Sequence, residues 1–167
     1  MKNLATASTH KKVVILLLDR STVKGYLDPG ALGQIDVADL LTPEGAHKSI
    51  ALDKIKSVYF VRELDEPFEL ERKAFLSRPK LDGLWVRLLF RDEDVVEGII
   101  PNDLLDLLDK GLHLTPPDLH GNVLRIFVPR AALVELKVLG VVGVARRAPR
   151  PARDAAVPEP QPRLFSE

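Results

Sequence analysis

Short apolar runs separated by polar turns recur along the chain. Residues 13–18 form an unbroken apolar run that stops at Asp19-Arg20-Ser21-Thr22, and residues 23–27 resume an extended pattern. Runs of this length, rich in β-branched residues and bounded by turn residues, predict strands. Residues 48–52 and 57–62 predict two more. Residues 84–91, 95–100 and 123–128 predict a second set, with Asp92-Glu93-Asp94 in its first turn. In the last predicted strand, 134–139, Val134, Leu136 and Val138 alternate with Glu135 and Lys137, which predicts one buried face. Residues 101–111 predict a short helix capped by Asn102 and ended by Gly111. The matching stretch 28–33 has turn chemistry instead.

The two sets match each other. Asp19, Val23 and Gly25 recur 73 positions on as Asp92, Val96 and Gly98, and Leu41-Thr42-Pro43 recurs as Leu114-Thr115-Pro116. Beyond that point Ile50, Val58 and Phe60 align with Ile126, Val134 and Leu136, 76 positions on. This spacing predicts a duplicated supersecondary unit; two copies are too few for a solenoid. The expected organisation is a flexible N-terminus (1–10), a first β unit (11–62), a connector (63–82), a second β unit (83–142) and a disordered Pro/Arg-rich tail (143–167).

The connector places acids first (Glu63, Asp65, Glu66, Glu69, Glu71) and bases later (Arg72, Lys73, Arg78, Lys80), an order that suits a helix macrodipole. An extended strap is the alternative. In either form Phe68, Phe75 and Leu76 are the expected anchors. The tail carries Pro149, Pro151, Pro158, Pro160 and Pro162, too little apolar material for a core. Its Arg146, Arg147 and Arg150, with Leu164 and Phe165 at the tip, are candidate partner-binding residues.

Composition narrows the function classes. The 167 residues hold 24 Lys+Arg and 24 Asp+Glu, a formal net charge of zero. A neutral chain is a poor nucleic-acid coat or polybasic membrane binder. No cysteine is present, which excludes disulfides, zinc ribbons, iron–sulfur clusters and thiol nucleophiles. The first residues lack the apolar core of a secretory signal, so a soluble cytoplasmic protein without membrane contact is expected.

Trp85-Val86-Arg87-Leu88, Asp92 and Val96-Glu97-Gly98 resemble the first half of an Sm-like motif, and residues 124–139 have the shape of its second half. A closer resemblance is to an uncharacterised bacterial family of tandem Sm-like or SH3-like small β-barrel repeats. It rests on Lys12-Val13-Val14, Val23-Lys24-Gly25-Tyr26, Thr115-Pro116-Pro117-Asp118 and Arg125-Ile126-Phe127-Val128-Pro129-Arg130-Ala131-Ala132. The resemblance implies a mainly β fold of two tandem small barrels or half-barrels and no activity. Leu104-Leu105-Asp106-Leu107-Leu108 and Phe127-Val128-Pro129-Arg130 stand where RNA-binding Sm proteins carry a base-holding asparagine and an Ile-Arg-Gly signature. The Sm base pocket is therefore not carried over.

Catalytic chemistry is not visible: there is no nucleophile elbow, phosphate loop or dinucleotide fingerprint. His113 and His120 lack a metal spacing, and Asp92-Glu93-Asp94 reads as a solvated turn more readily than a cation site. No catalytic residue, cofactor or metal is expected. Arg87, Arg91, Arg125 and Arg130 are candidate anion-binding residues, with pairing to Glu97 or Glu135 as the alternative. The expected function is a non-enzymatic protein-interaction or regulatory adaptor module whose partner is another protein, with self-association open. The alternatives are single-stranded nucleic-acid or RNA binding and a nucleotide second-messenger receptor.

Overall fold

The computed structural model describes residues 9–143, and these hold ten strands and four single 3-10 turns. The strands are β1 (Lys11–Leu17), β2 (Thr22–Leu27), β3 (Val37–Leu41), β4 (His47–Ala51), β5 (Ile55–Val61), β6 (Gly83–Phe90), β7 (Val95–Ile100), β8 (Gly111–Leu114), β9 (Val123–Pro129) and β10 (Leu133–Val142). The fold is mainly β. A seven-stranded antiparallel sheet has the order β4-β3-β2-β1-β5-β9-β8, and a three-stranded one has the order β10-β6-β7. Neither closes into a barrel. A bridge between Ile99 and Thr115 touches β7 to the end of β8. No helix among the described residues is long and apolar enough to cross a membrane.

The large sheet runs across the boundary between the two sequence units, because β5 pairs with β9. Side chains of the central strands alternate between two cores, as the period of two requires. Val13, Ile15, Val58 and Phe60 point into one core, and Phe127 of β9 enters it from the second half. Val14 and Val61 point the other way, into a core shared with Leu84, Val86, Leu88, Ile126 and Val128. Burial on both faces explains why β1 reads as a continuous apolar run without alternation.

The two halves carry matching backbone bonds. Leu17 N donates to Ser21 O and Phe90 N to Asp94 O; Leu18 N donates to Lys54 O and Arg91 N to Ala132 O; Leu52 N donates to Asp36 O and Arg130 N to Lys110 O. The left-handed residues Arg20 and Glu93 occupy the same turn. These pairs keep the step of 73 in the first hairpin, but from Lys54 to Ala132 the step is 78, not 76. Phe60 therefore matches Val138, and Val58 matches Leu136. Asp36 to Lys110 is a step of 74, so one of the five extra residues precedes β8 and four follow it, chiefly in the β8–β9 connection, 115–122, against 42–46 in the first half.

Other expectations are corrected. Residues 101–110 form only one 3-10 turn, Asp106–Leu108, and Gly111 opens a strand where it was expected to end a helix. The connector forms no helix; residues 63–82 run without regular secondary structure. Phe68 packs on Tyr59 at 5.2 Å and Phe75 on the edge of Trp85 at 6.2 Å, but Leu76 is 82% exposed and anchors nothing. Polar groups hold the connector as well. Buried Glu97 accepts from Phe75 N, and Asn122 Nδ2 donates to the carbonyls of Glu63, Glu66 and Pro67. On β10, Val134 and Val138 are 66% and 49% exposed, because register irregularities between Leu133 and Glu135 and between Val138 and Gly140 break the alternation that would bury one face.

Candidate functional site

Of the four arginines read as an anion face, Arg87 pairs with Glu97 across β6 and β7 at 3.3 Å. Arg91 is exposed in the turn after β6. Arg125, in β9, and Arg130, in the 3-10 turn after it, line different hollows. The tail candidates Arg146, Arg147, Arg150, Leu164 and Phe165 lie outside the described residues. The turn acids hold a lysine: Lys56 Nζ lies 2.7 Å from Asp92 and 3.0 Å from Asp94. Burial alone would lower the Lys56 ammonium, but hydrogen bonds to both acids outweigh it and raise its pKa. Burial would raise both carboxyls, and their lysine partners hold them below the usual range. Among the described residues, no group of three or more His, Asp or Glu is placed to hold a metal.

Arg125 sits in the first of two features with functional geometry. Its guanidinium lies over the Phe60 ring at 4.8 Å, half-buried, and no carboxylate of the described residues pairs with it. Desolvation lowers its pKa. One side of Arg125 borders a groove of about 520 Å3, where His10, Lys11, Lys12 and Arg62 gather over Phe60 and Leu124. Among the described residues no acid lines this groove; Glu63 lies 3.1 Å from Lys12 Nζ. On the other side lies His113, between Phe60 and Phe127, with its Nδ1 buried and unpartnered. Burial, then the neighbouring Arg125, push the imidazole down to about 4, so it is neutral at physiological pH. Lys11, Lys12 and Arg62 were not singled out from sequence; only their convergence from the start of β1 and the end of β5 makes them a group.

The second feature is apolar. Leu104, Leu105 and Leu108 are each more than 70% exposed in the β7–β8 connection. Their neighbour Leu107 turns in against Leu133 and Leu136 of β10, over a hollow of about 300 Å3. Beside it, Val134, Val138 and Val141 are exposed along β10. Among the described residues, half of the large exposed hydrophobics therefore sit in one loop and on the edge strand it flanks, which is a patch and not scatter.

Residues 9–140 match the model of a family of unknown function, DUF6982. The chain belongs to that family. DUF6982 carries no assigned activity, so the family match agrees with the expectation of an uncharacterised family and adds no site. Comparison with curated proteins and with solved structures returned no match.

Proposed function

We propose that the chain is a non-enzymatic protein-interaction module, built from two copies of a small five-stranded unit of Sm-like or SH3-like type. The matched turn and connection bonds support the duplication. The strand orders support it too: β4-β3-β2-β1-β5 in one half, and β9-β8 bridged to β7-β6-β10 in the other. The observation that carries the interaction reading is the apolar patch of Leu104, Leu105 and Leu108 beside the open β10 edge. Loops positioned by a rigid sheet are where binding residues concentrate, and exposed leucines cost solubility unless something covers them. Leu104→Ser, Leu105→Ser and Leu108→Ser in one variant should leave the melting temperature within about 2 °C, because surface changes away from packed contacts move stability little. The same variant should lose nuclease-resistant protein partners that the unsubstituted chain recovers from lysate. Equal recovery by both proteins would defeat this reading.

A second reading is favoured by the Arg125 groove. Basic side chains over an apolar floor suit a phosphate-bearing ligand, including single-stranded nucleic acid. Arg125→Ala should weaken binding of a fluorescent single-stranded oligonucleotide about tenfold at low salt, and the affinity should fall as salt rises. An unchanged affinity in the variant would remove the groove from consideration.

A further inference from the structure

We propose that β10 pairs with β10 of a second copy of this chain, antiparallel and centred on Leu136, to form a two-fold symmetric dimer with one continuous sheet. This names the partner for the β10 surface and rests on the interaction reading given above.

The backbone of β10 is open for such a pairing. Phe90 N donates to Asp94 O across the β6–β7 turn, so Phe90, Leu88, Val86 and Leu84 direct their backbone groups at β7. The residues opposite Leu88, Val86 and Leu84 on β10 are Leu136, Val138 and Val141. By the same alternation, these three turn their N–H and C=O groups away from β6. Val141 O bears this out, because it accepts from the Arg78 guanidinium at 2.6 Å. Arg78 thus blunts the far end of the edge, and among the described residues nothing pairs with the outward donors and acceptors of Leu136 and Val138 in its middle. Such an edge is a template for another strand unless charge or proline protects it.

The sequence of the edge is self-complementary in one register only. Around Leu136, a two-fold axis sets Val134 against Val138 of the other copy and Glu135 against Lys137. Leu136 then meets itself as a hydrogen-bonded pair through its outward backbone groups. Glu135 and Lys137 already lie on one face, 3.4 Å apart, so the two copies would set four charges in alternation. Shifting the axis to residue 135 or 137 would place glutamate against glutamate or lysine against lysine, which destabilises a strand pair. An isologous contact of this kind closes at two copies and leaves no new edge exposed. The result is a six-stranded sheet, β7-β6-β10 followed by the same three strands in reverse, with the exposed valines of both copies brought together at its centre. The other free edge, β4, carries His47-Lys48-Ser49, all exposed and polar. A lysine guards an edge strand unless an opposite charge meets it; β10 sets its own Glu135 against Lys137, whereas β4 has no acid to meet Lys48, so β10 is the open edge and β4 the protected one.

The test is charge reversal on the full chain, read by sedimentation and light scattering across a concentration series. The unsubstituted protein should show twice the mass of the 18.5 kDa chain. Glu135→Lys and Lys137→Glu, made singly, each set like charges face to face and should raise the dissociation constant at least about tenfold. The double variant, Glu135→Lys with Lys137→Glu, restores opposite charges in the same register and should return to within about threefold of the starting value. Both side chains are more than half exposed, so all three variants should keep the parent melting temperature of the monomer. A dimer that the single reversals leave intact, or that the double variant fails to restore, overturns the proposal. A monomer at every concentration overturns it too, and leucine-dependent capture of another protein by that monomer would show that the interaction reading survives without it.

Discussion

Phe127→Ala is expected to remove about 3–5 kcal/mol from the free energy of unfolding, measured by urea denaturation of the full chain. Phe127 is the largest fully buried side chain, and it belongs by sequence to the second half while packing in the core of the first. Its ring lies over Gly111, where even a Cβ would collide with it, and near Gly33. Nothing small and mobile stands ready to fill the space it would leave, since Ile15, Leu40 and Val58 are already locked between paired strands. A loss of this size is a large share of the roughly 5–15 kcal/mol that holds such a chain folded. Both halves should therefore melt together and earlier in the variant. A loss below about 1 kcal/mol, or loss of one transition with the other intact, would mean that the halves do not share their stability.

That interlocking was only partly legible in the sequence. The apolar runs at 13–18, 23–27 and 95–100 announced strands because each is β-rich and ends in turn residues, and their bounds differ from the observed ones by a residue or two. Strand β3 gave a weak signal, since one of its inward residues is the small Ala38 and Asp36 and Asp39 interrupt the run. Strand β8 was hidden by Gly111, whose turn propensity is overridden by the need to let the Phe127 ring approach. The leucines of 104–108 have helical spacing, but no surface covers the face that such a helix would bury, and three of them stay in solvent. For the candidate sites, Arg87 facing Glu97 follows from hairpin register and was foreseeable. Lys56 between Asp92 and Asp94, and Arg125 over Phe60, depend on how β5 meets the second half. That pairing is long-range, and no local pattern encodes it.

Gly98→Val is expected to cost at least about 3 kcal/mol and to cut the yield of folded protein sharply. Gly98 has ordinary extended backbone, so its role is not conformational freedom; a Cβ there would run into Cγ and both δ carbons of Leu114. Leu114 is fully buried in the second core and cannot swing into solvent. The first half repeats the arrangement: a Cβ on Gly25 would strike Leu40 and the Leu41 carbonyl. In both places the second strand of the unit is crossed closely by the third, and a glycine lets the sheet bend sharply there. The steric cause can be separated from a general intolerance of change. Gly45 has φ +88° and nothing within 4 Å of an added Cβ, so Gly45→Ala should cost only about 1 kcal/mol, the backbone penalty alone. Pairing Gly98→Ala with Leu114→Ala removes the atoms that collide, and the double variant should be less destabilised than the two single losses added together. Strict additivity, or a Gly98→Val protein that melts like the parent, would show that the close crossing does not constrain this fold.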